Sequence, residues 1–387
     1  MKALLMLEDG WQCECSSFTG EGESYGELVF NTGLTGYQEI ITDPSYHGQI
    51  VLMTNAMIGN YGIRYNEDES VKIHTEGFVV KEYSGEELNE KAARSIKYCH
   101  APPEYDISNS DPASLKYHSK VRCSLSDYLY SQKVPGVEGL DTRSLTKYIR
   151  EKGAMKAGIT TKTVDKNAFL EKVKKSPGLP GRDLVIEVTA EEPYLYSEGE
   201  GYRIAVLDCG VKISTLRELA ERNCRVEVFP ASSSKNDIMK TKPDGVLLSN
   251  GPGDPSALRT VVETVNGLIG EVPIFGICLG HQLIGLALGA KTYKLKFGHH
   301  GGNHPARDER TKRVFITTQN HGFAVDTDTL NKKDIEVTFI NLNDYTLEGF
   351  RHKKFPLFSV QFHPEASPGP RDTLYLFDEF LGLIGKH

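Results

Sequence analysis

The sequence predicts an α/β protein whose carboxyl-terminal half is an open, mostly parallel sheet with helices on both faces, preceded by a largely β amino-terminal domain. Three observations predict it. From Tyr202 onward, strands apolar throughout (YRIAVLDCG, PIFGIC) alternate with helical patterns such as STLRELAERN and SALRTVVETVNGLI, as in a parallel sheet covered on both faces. Before residue 155 the apolar runs are short and punctuated by Gly, Asn and Pro, the mark of β structure. Between them lies a charged, Pro-rich stretch, including KKSPGLPGRD and TAEEPY, the composition of a connection. The expected boundaries are therefore 1–155, 156–200 and 201–387.

In order, MKALLMLEDG lacks the long apolar core of a signal peptide and reads as a first strand. ALLMLE is the apolar run of that strand, and GELVFNTG, QIVLMTN and EGFVVKEY are further strand candidates. Two Gly/Asn-rich segments, residues 31–51 and 57–62, read locally as hairpin turns. GVEGLDTRSLTKYIREKGAMKAGI reads as a capped helix, with Asp141 or Thr142 at its start and Gly153 past its end. In the second half, RVEVFP, DGVLLSN and PIFGIC are strands that precede loops or helices. Function in such sheets collects at the carboxyl ends of the strands.

Composition narrows the function. A formal charge of -7 gives no basic field for a phosphate backbone, so nucleic acid is not an expected partner. No run of about 18 apolar residues occurs to cross a membrane, and a cytoplasmic location is expected. The 7 cysteines are scattered and lack CxxC spacing, which disfavours a zinc knuckle or disulfide framework. There is no GxxxxGK[ST] loop.

Three motifs sit at predicted strand ends. Gly276-Ile277-Cys278-Leu279-Gly280 has the form of a nucleophile elbow, with glycine two residues on either side of the thiol. It also sets Cys278 at a helix N-terminus, where backbone N–H groups and the helix dipole favour a thiolate. A buried cysteine beside a Gly turn is the plain alternative. In SVQFHPEAS, His363 follows a strand, Pro364 stops it, and Glu365 is placed to orient the imidazole. In SNGPGDP, Gly251 and Gly253 either form a rigid loop or turn backbone N–H groups toward an oxyanion. The histidines of FGHHGGNHP (299, 300 and 304) lack a cysteine or carboxylate within that segment. They are read as part of a flexible loop, and no metal is expected.

GICLGHQ, SVQFHPEA and SNGPGDP together resemble the class I, or triad-type, glutamine amidotransferase family. NTGLTGYQEIITDPSYHGQI, GNYG, DTRSLTKYIREKG, FGHHGGNHP, NHGFAV and HPEASPGPRD are similar to the small, glutamine-hydrolysing subunits of carbamoyl phosphate synthetase, and the likeness spans essentially the entire chain. It implies Cys278 as nucleophile, His363 as base and then acid, and Glu365 as its orienting partner. It implies that the backbone at Gly251 and Leu279 faces the oxyanion, and that Gly253, Gln282, Asn320, Gly322 and Phe323 hold the amino-acid end of L-glutamine. It also implies a contact from Ser45 of the first domain, so that residues 31–51 would be more than turns. No cofactor is expected in this chain. ATP, Mg2+ and bicarbonate would be used by a large synthetase subunit, the expected heterodimer partner, to make carbamoyl phosphate for pyrimidine and arginine synthesis.

Cys209 is an extra thiol read as core filler. An amidotransferase feeding an anthranilate or GMP synthase would share the triad but not the TDPSY or GNYG segments. A cysteine peptidase or simple amidohydrolase would have no use for the SNGPGDP and QNHGF pair. A non-catalytic scaffold would be expected to lose the nucleophile first.

Overall fold

In the computed structural model, residues 1–95 and 121–387 are described, and they divide into two compact units, Met1–Leu179 and Pro180–His387. Cys99 lies outside the described residues.

The first unit is built on β1 (Lys2–Leu7), β2 (Gln12–Ser17), β3 (Glu23–Asn31), β4 (Gln49–Met53), the short β5 (Met57–Ile58) and β6 (Ile63–Arg64), β7 (Gly77–Val79), the short β8 (Glu82–Tyr83) and β9 (Val121–Cys123), β10 (Gly136–Glu138) and β11 (Met155–Thr160). Seven of these close a barrel in the order β1-β11-β3-β4-β7-β10-β2, while β5 pairs with β8 and β6 with β9. The alternation of side chains along a strand is plain in β1, where Leu4 and Met6 pack on Phe169 and Val173 of the helix Lys166–Lys175. Leu5 and Leu7 have no exposed surface. The DTRSLTKYIREK segment is a helix, Thr142–Lys152, with the Asp141 side chain accepting from Ser144 N and Gly153 at φ 105° as its C-cap. Residues 31–51 hold more than turns: a short helix, Tyr37–Thr42, leads into the 3-10 turn Pro44–Tyr46.

The stretch 156–200, expected as a connection, carries regular structure. β11, nearly all of which falls in this stretch, and the helix Lys166–Lys175 belong to the first unit, and β12 (Tyr194–Glu198) belongs to the second. Its charges and prolines decorate the exposed faces and ends of these elements. That is why composition alone suggests a linker.

In the second unit, β12 is followed by β13 (Arg203–Asp208), β14 (Arg225–Pro230), β15 (Gly245–Leu248), β16 (Ile274–Ile277), β17 (Thr292–Asp308), β18 (Val314–Val325), β19 (Ile335–Asn341), β20 (Leu347–His352) and β21 (Leu357–Val360). They form one sheet in the order β12-β14-β13-β15-β16-β21-β20-β19-β17-β18. The centre, β14-β13-β15-β16-β21, is parallel. The flanks, β12 on one side and β20, β19, β17 and β18 on the other, are antiparallel. The sheet is thus mixed, where the sequence predicts a mostly parallel one. Residues 292–352 contribute hairpin-connected strands with half-polar faces, and these extend the sheet without crossover helices.

Two apolar layers cover the parallel centre. On one face Leu248, Ile274, Val265 and Leu283 cluster, and on the other Val206, Phe275, Phe358, Phe377 and Phe380. Burying an aliphatic or aromatic side chain of this kind contributes about 1.5–3 kcal/mol. This double cover fixes the ends of β13, β15, β16 and β21, from which the candidate site rises. Among the described residues, no helix is long and apolar enough to cross a membrane.

Candidate active site

β16 turns sharply into the helix Leu279–Ala287, and Cys278 is the residue at the turn, with φ 54° and ψ -103°. A positive φ is strained for a residue with a Cβ and persists only where its surroundings enforce it. The two flanking glycines are what permit it. A Cβ at Gly276 would lie 2.9 Å from the backbone of Gly280, and a Cβ at Gly280 would overlap the Leu248 carbonyl. The elbow is therefore set by close backbone packing. Cys278 N donates to Val360 O at 2.9 Å, tying the turn to the neighbouring strand. The thiol is buried, with Sγ 3.6 Å from Asn320 O and 3.7 Å from Gln361 Nε2.

His363 stands just past the end of β21. The register pairs Ile277 with Val360, so the elbow and the histidine leave the sheet from adjacent strands. Its backbone N donates to Thr318 O at 2.9 Å, which bridges it to β18. Nδ1 lies 2.7 Å from Glu365 Oε1, while Nε2 has no hydrogen-bond partner among the described residues. Burial would lower the imidazole's proton affinity, but the charges of Glu365 and Cys278 outweigh it and hold His363 well above its ordinary value. Glu365, equally buried, is held below the usual carboxylate range: burial opposes its ionisation, and Lys212 and then His363 overcome that.

Lys212 is the residue that the motifs did not reveal. It caps the helix Ile213–Glu221 just after β13, is almost wholly buried, lies 3.2 Å from Glu365 Oε1 and donates to Ala366 O at 2.6 Å. The signal that could have found it is a lysine four residues beyond an apolar strand, at the functional edge of the sheet.

Gly251 follows β15 and is confined to glycine, because a Cβ there would overlap the Cys209 carbonyl. Cys209 itself is fully buried, and burial pushes its thiol strongly up, consistent with core filler. Among the described residues, neither Gly251 N nor Leu279 N donates a hydrogen bond. Gly253 adopts φ 87° beside Leu184. Gln282 donates to Phe323 O at 2.7 Å and to Gln361 Oε1 at 3.1 Å, which fastens the elbow helix to β18. Asn320 Oδ1 meets His300 Nδ1 at 2.9 Å, and Gly322 has open space around its Cα. Cys278, His363, Glu365, Gly251, Leu279, Gln282, Asn320 and Phe323 thus gather at one edge of one sheet. Ser45 belongs to the first unit, buried in the turn Pro44–Tyr46, where its N donates to Asp43 Oδ1 at 2.9 Å.

Histidines 299, 300 and 304 lie in β17, which is paired with β18, instead of in a flexible loop. The QNHGFAV run supplies the partner strand that a local reading of FGHHGGNHP could not foresee.

Residues 205–383 match the model of class I glutamine amidotransferases, and residues 5–104 and 107–159 match that of the carbamoyl-phosphate synthase small chain, CPSase domain. Proteins named carbamoyl phosphate synthase small chain match end to end. That of Archaeoglobus fulgidus is 45% identical over 100% of this chain and 100% of its own length. That of Methanopyrus kandleri is 46% identical over 100% of both. The chain belongs to the carbamoyl phosphate synthase small-chain family. The small chain of Syntrophotalea carbinolica is 45% identical over 100% of this chain and 99% of its own. This chain pairs a small-chain CPSase domain with a class I amidotransferase domain, and as a carbamoyl phosphate synthase small chain it is the glutaminase subunit of the synthetase.

Proposed function

We propose that the second unit hydrolyses L-glutamine to glutamate and ammonia through Cys278, His363 and Glu365. The observation that carries this reading is the strained cysteine beside a buried imidazole whose other nitrogen is held by a carboxylate. His363 takes the proton of Cys278, and the sulfur attacks the side-chain amide carbon of glutamine. The N–H groups of Gly251 and Leu279 receive the developing oxyanion. His363 returns the proton to the departing nitrogen, and ammonia leaves. Water deprotonated by the same imidazole then cleaves the thioester and frees glutamate. Glu365 holds the imidazole in the required tautomer, and Lys212 neutralises Glu365, so that the carboxylate does not take the proton itself. Gly253, Gln282, Asn320, Gly322, Phe323 and Ser45 are assigned to the amino-acid end of glutamine.

Ammonia released into water would be protonated and lost as a nucleophile, so the reading includes a partner that receives it in a closed path. The words "small chain" in the names of the relatives support a large synthetase subunit as that partner. A heterodimer located in the cytoplasm is part of the same proposal. There ATP, Mg2+ and bicarbonate would be used to make carbamoyl phosphate for pyrimidine and arginine synthesis.

The test is glutamate release from glutamine by the purified chain, alone and with the matching large subunit plus ATP and bicarbonate. Slow release alone, lost in Cys278→Ser and accelerated by the partner with carbamoyl phosphate as product, is expected. No effect of the partner would remove the synthetase role and leave the glutaminase chemistry. No release under any condition would overturn both.

A further inference from the structure

A second buried cluster lies among the antiparallel strands. One ring nitrogen each of His299 (β17) and His321 (β18) and one carboxylate oxygen of Glu348 (β20) lie within 4.8 Å of one another, all three residues buried. The carboxylate that FGHHGGNHP lacks arrives from a distant strand. His299 Nε2 is 2.8 Å from Asp344 Oδ2, which takes its N–H, and Nδ1 is left with no hydrogen-bond partner, 3.9 Å from Glu348 Oε1. His321 Nδ1 is 2.7 Å from the Phe323 carbonyl, which can only accept, so the lone pair sits on Nε2. Both imidazoles are thus held from behind by an oxygen while presenting a lone pair forward, the arrangement of metal-binding histidines. Glu348 is steadied by Gln319 Nε2 and Asn341 Nδ2, each at 2.8 Å.

The hydrogen bonds around this cluster do not close by themselves. His321 Nε2 faces Gln319 Oε1 at 3.0 Å, two acceptors in contact. Turning the Gln319 amide over would only move the conflict, setting its oxygen 2.8 Å from Glu348 Oε2. A bound cation accepting both lone pairs would resolve the conflict. A proton on Glu348, which would let it donate to the turned Gln319 oxygen, is the competing resolution.

We propose that His299, His321 and Glu348 form a binding site for a divalent first-row transition ion of the zinc class. Two imidazoles and a carboxylate are a recognised donor set for zinc. Such an ion would join β17, β18 and β20 around the Asn320–Phe323 segment.

The experiment uses the full chain carrying Cys278→Ser, so that the reactive thiol cannot capture the ion. After dialysis against a chelator, Zn2+ uptake is measured by calorimetry and Co2+ uptake by absorption. The expected result is one ion per chain, with d–d bands of a nitrogen and oxygen site and no sulfur-to-cobalt charge transfer. Glu348→Gln should abolish uptake. Asp344→Ala, at a partly exposed position and therefore easier to fold, should weaken it by about 10- to 100-fold by releasing His299. Absence of uptake, uptake with thiolate charge transfer, or uptake unchanged in both variants would overturn the site and leave the protonated Glu348 network in its place. No glutamine enters the measurement, so it stands apart from the glutaminase reading.

Discussion

The second unit contains two buried carboxylates beside histidines, and they are treated in opposite ways. Glu365 has Lys212 at 3.2 Å and His363 at 2.7 Å, and is held ionised. Glu348 has two amide donors, with the nearer nitrogen of His299 3.9 Å away, and its carboxyl is pushed up to about 7. The difference lies in the architecture. Parallel strands end together and converge on one edge, so a lysine just beyond β13 can reach a glutamate beyond β21. The antiparallel flank brings its partners across strand faces, where two amide donors and an imidazole surround the carboxylate.

The widest separation between the two clusters should appear in catalysis. Cys278→Ser is expected to lower glutamate release at least about 1,000-fold with an unchanged circular dichroism spectrum, while His299→Gln should leave most of the activity. Equal losses would mean that the two clusters act as one site. Next in size, Lys212→Met strands a buried carboxylate and should cost about 3–5 kcal/mol of stability, read from urea unfolding. The isosteric Glu348→Gln in chelator-treated protein should cost only about 1–3 kcal/mol, since one amide contact is spoiled and no charge is left bare. A reversal of that order would break the comparison.

The gentlest test is acid. A carboxylate whose folded value is depressed contributes stability that is present above its unfolded value and lost as pH falls through the folded one. Glu365 should therefore contribute a loss of stability as pH drops below the ordinary 4.5. Glu365→Gln should flatten that part of the stability curve, and chemical unfolding across pH 2–6 would measure it. An unchanged acid limb would show that Glu365 is not held ionised by its neighbours.

How much of this was legible follows from the range of the interactions. The elbow was readable because a strand-to-helix turn of this tightness admits only glycine at 276 and 280, a local constraint that leaves a local motif. His363 and Glu365 were readable because they are two residues apart and meet directly. Lys212 was not, since nothing near LDCGVK says that β13 will end beside the turn that follows β21. Glu348 was hidden for the same reason, and FGHHGGNHP read as a loop because its pairing partner lies in another motif. The parallel centre was plain in continuous apolar runs. The antiparallel flank, built of half-polar strands, was not.

The hydrogen bond from Cys278 N to Val360 O also has a meaning in time. During synthesis, residue 278 is made well before β21 exists, and the elbow then lacks the strand that ties it down. The histidine, its glutamate and the bridge to Thr318 all arrive with the last stretch of chain. A nascent or truncated protein ending before residue 360 therefore carries Cys278 without His363 and Glu365, and under the proposed mechanism hydrolysis waits for the last stretch of chain.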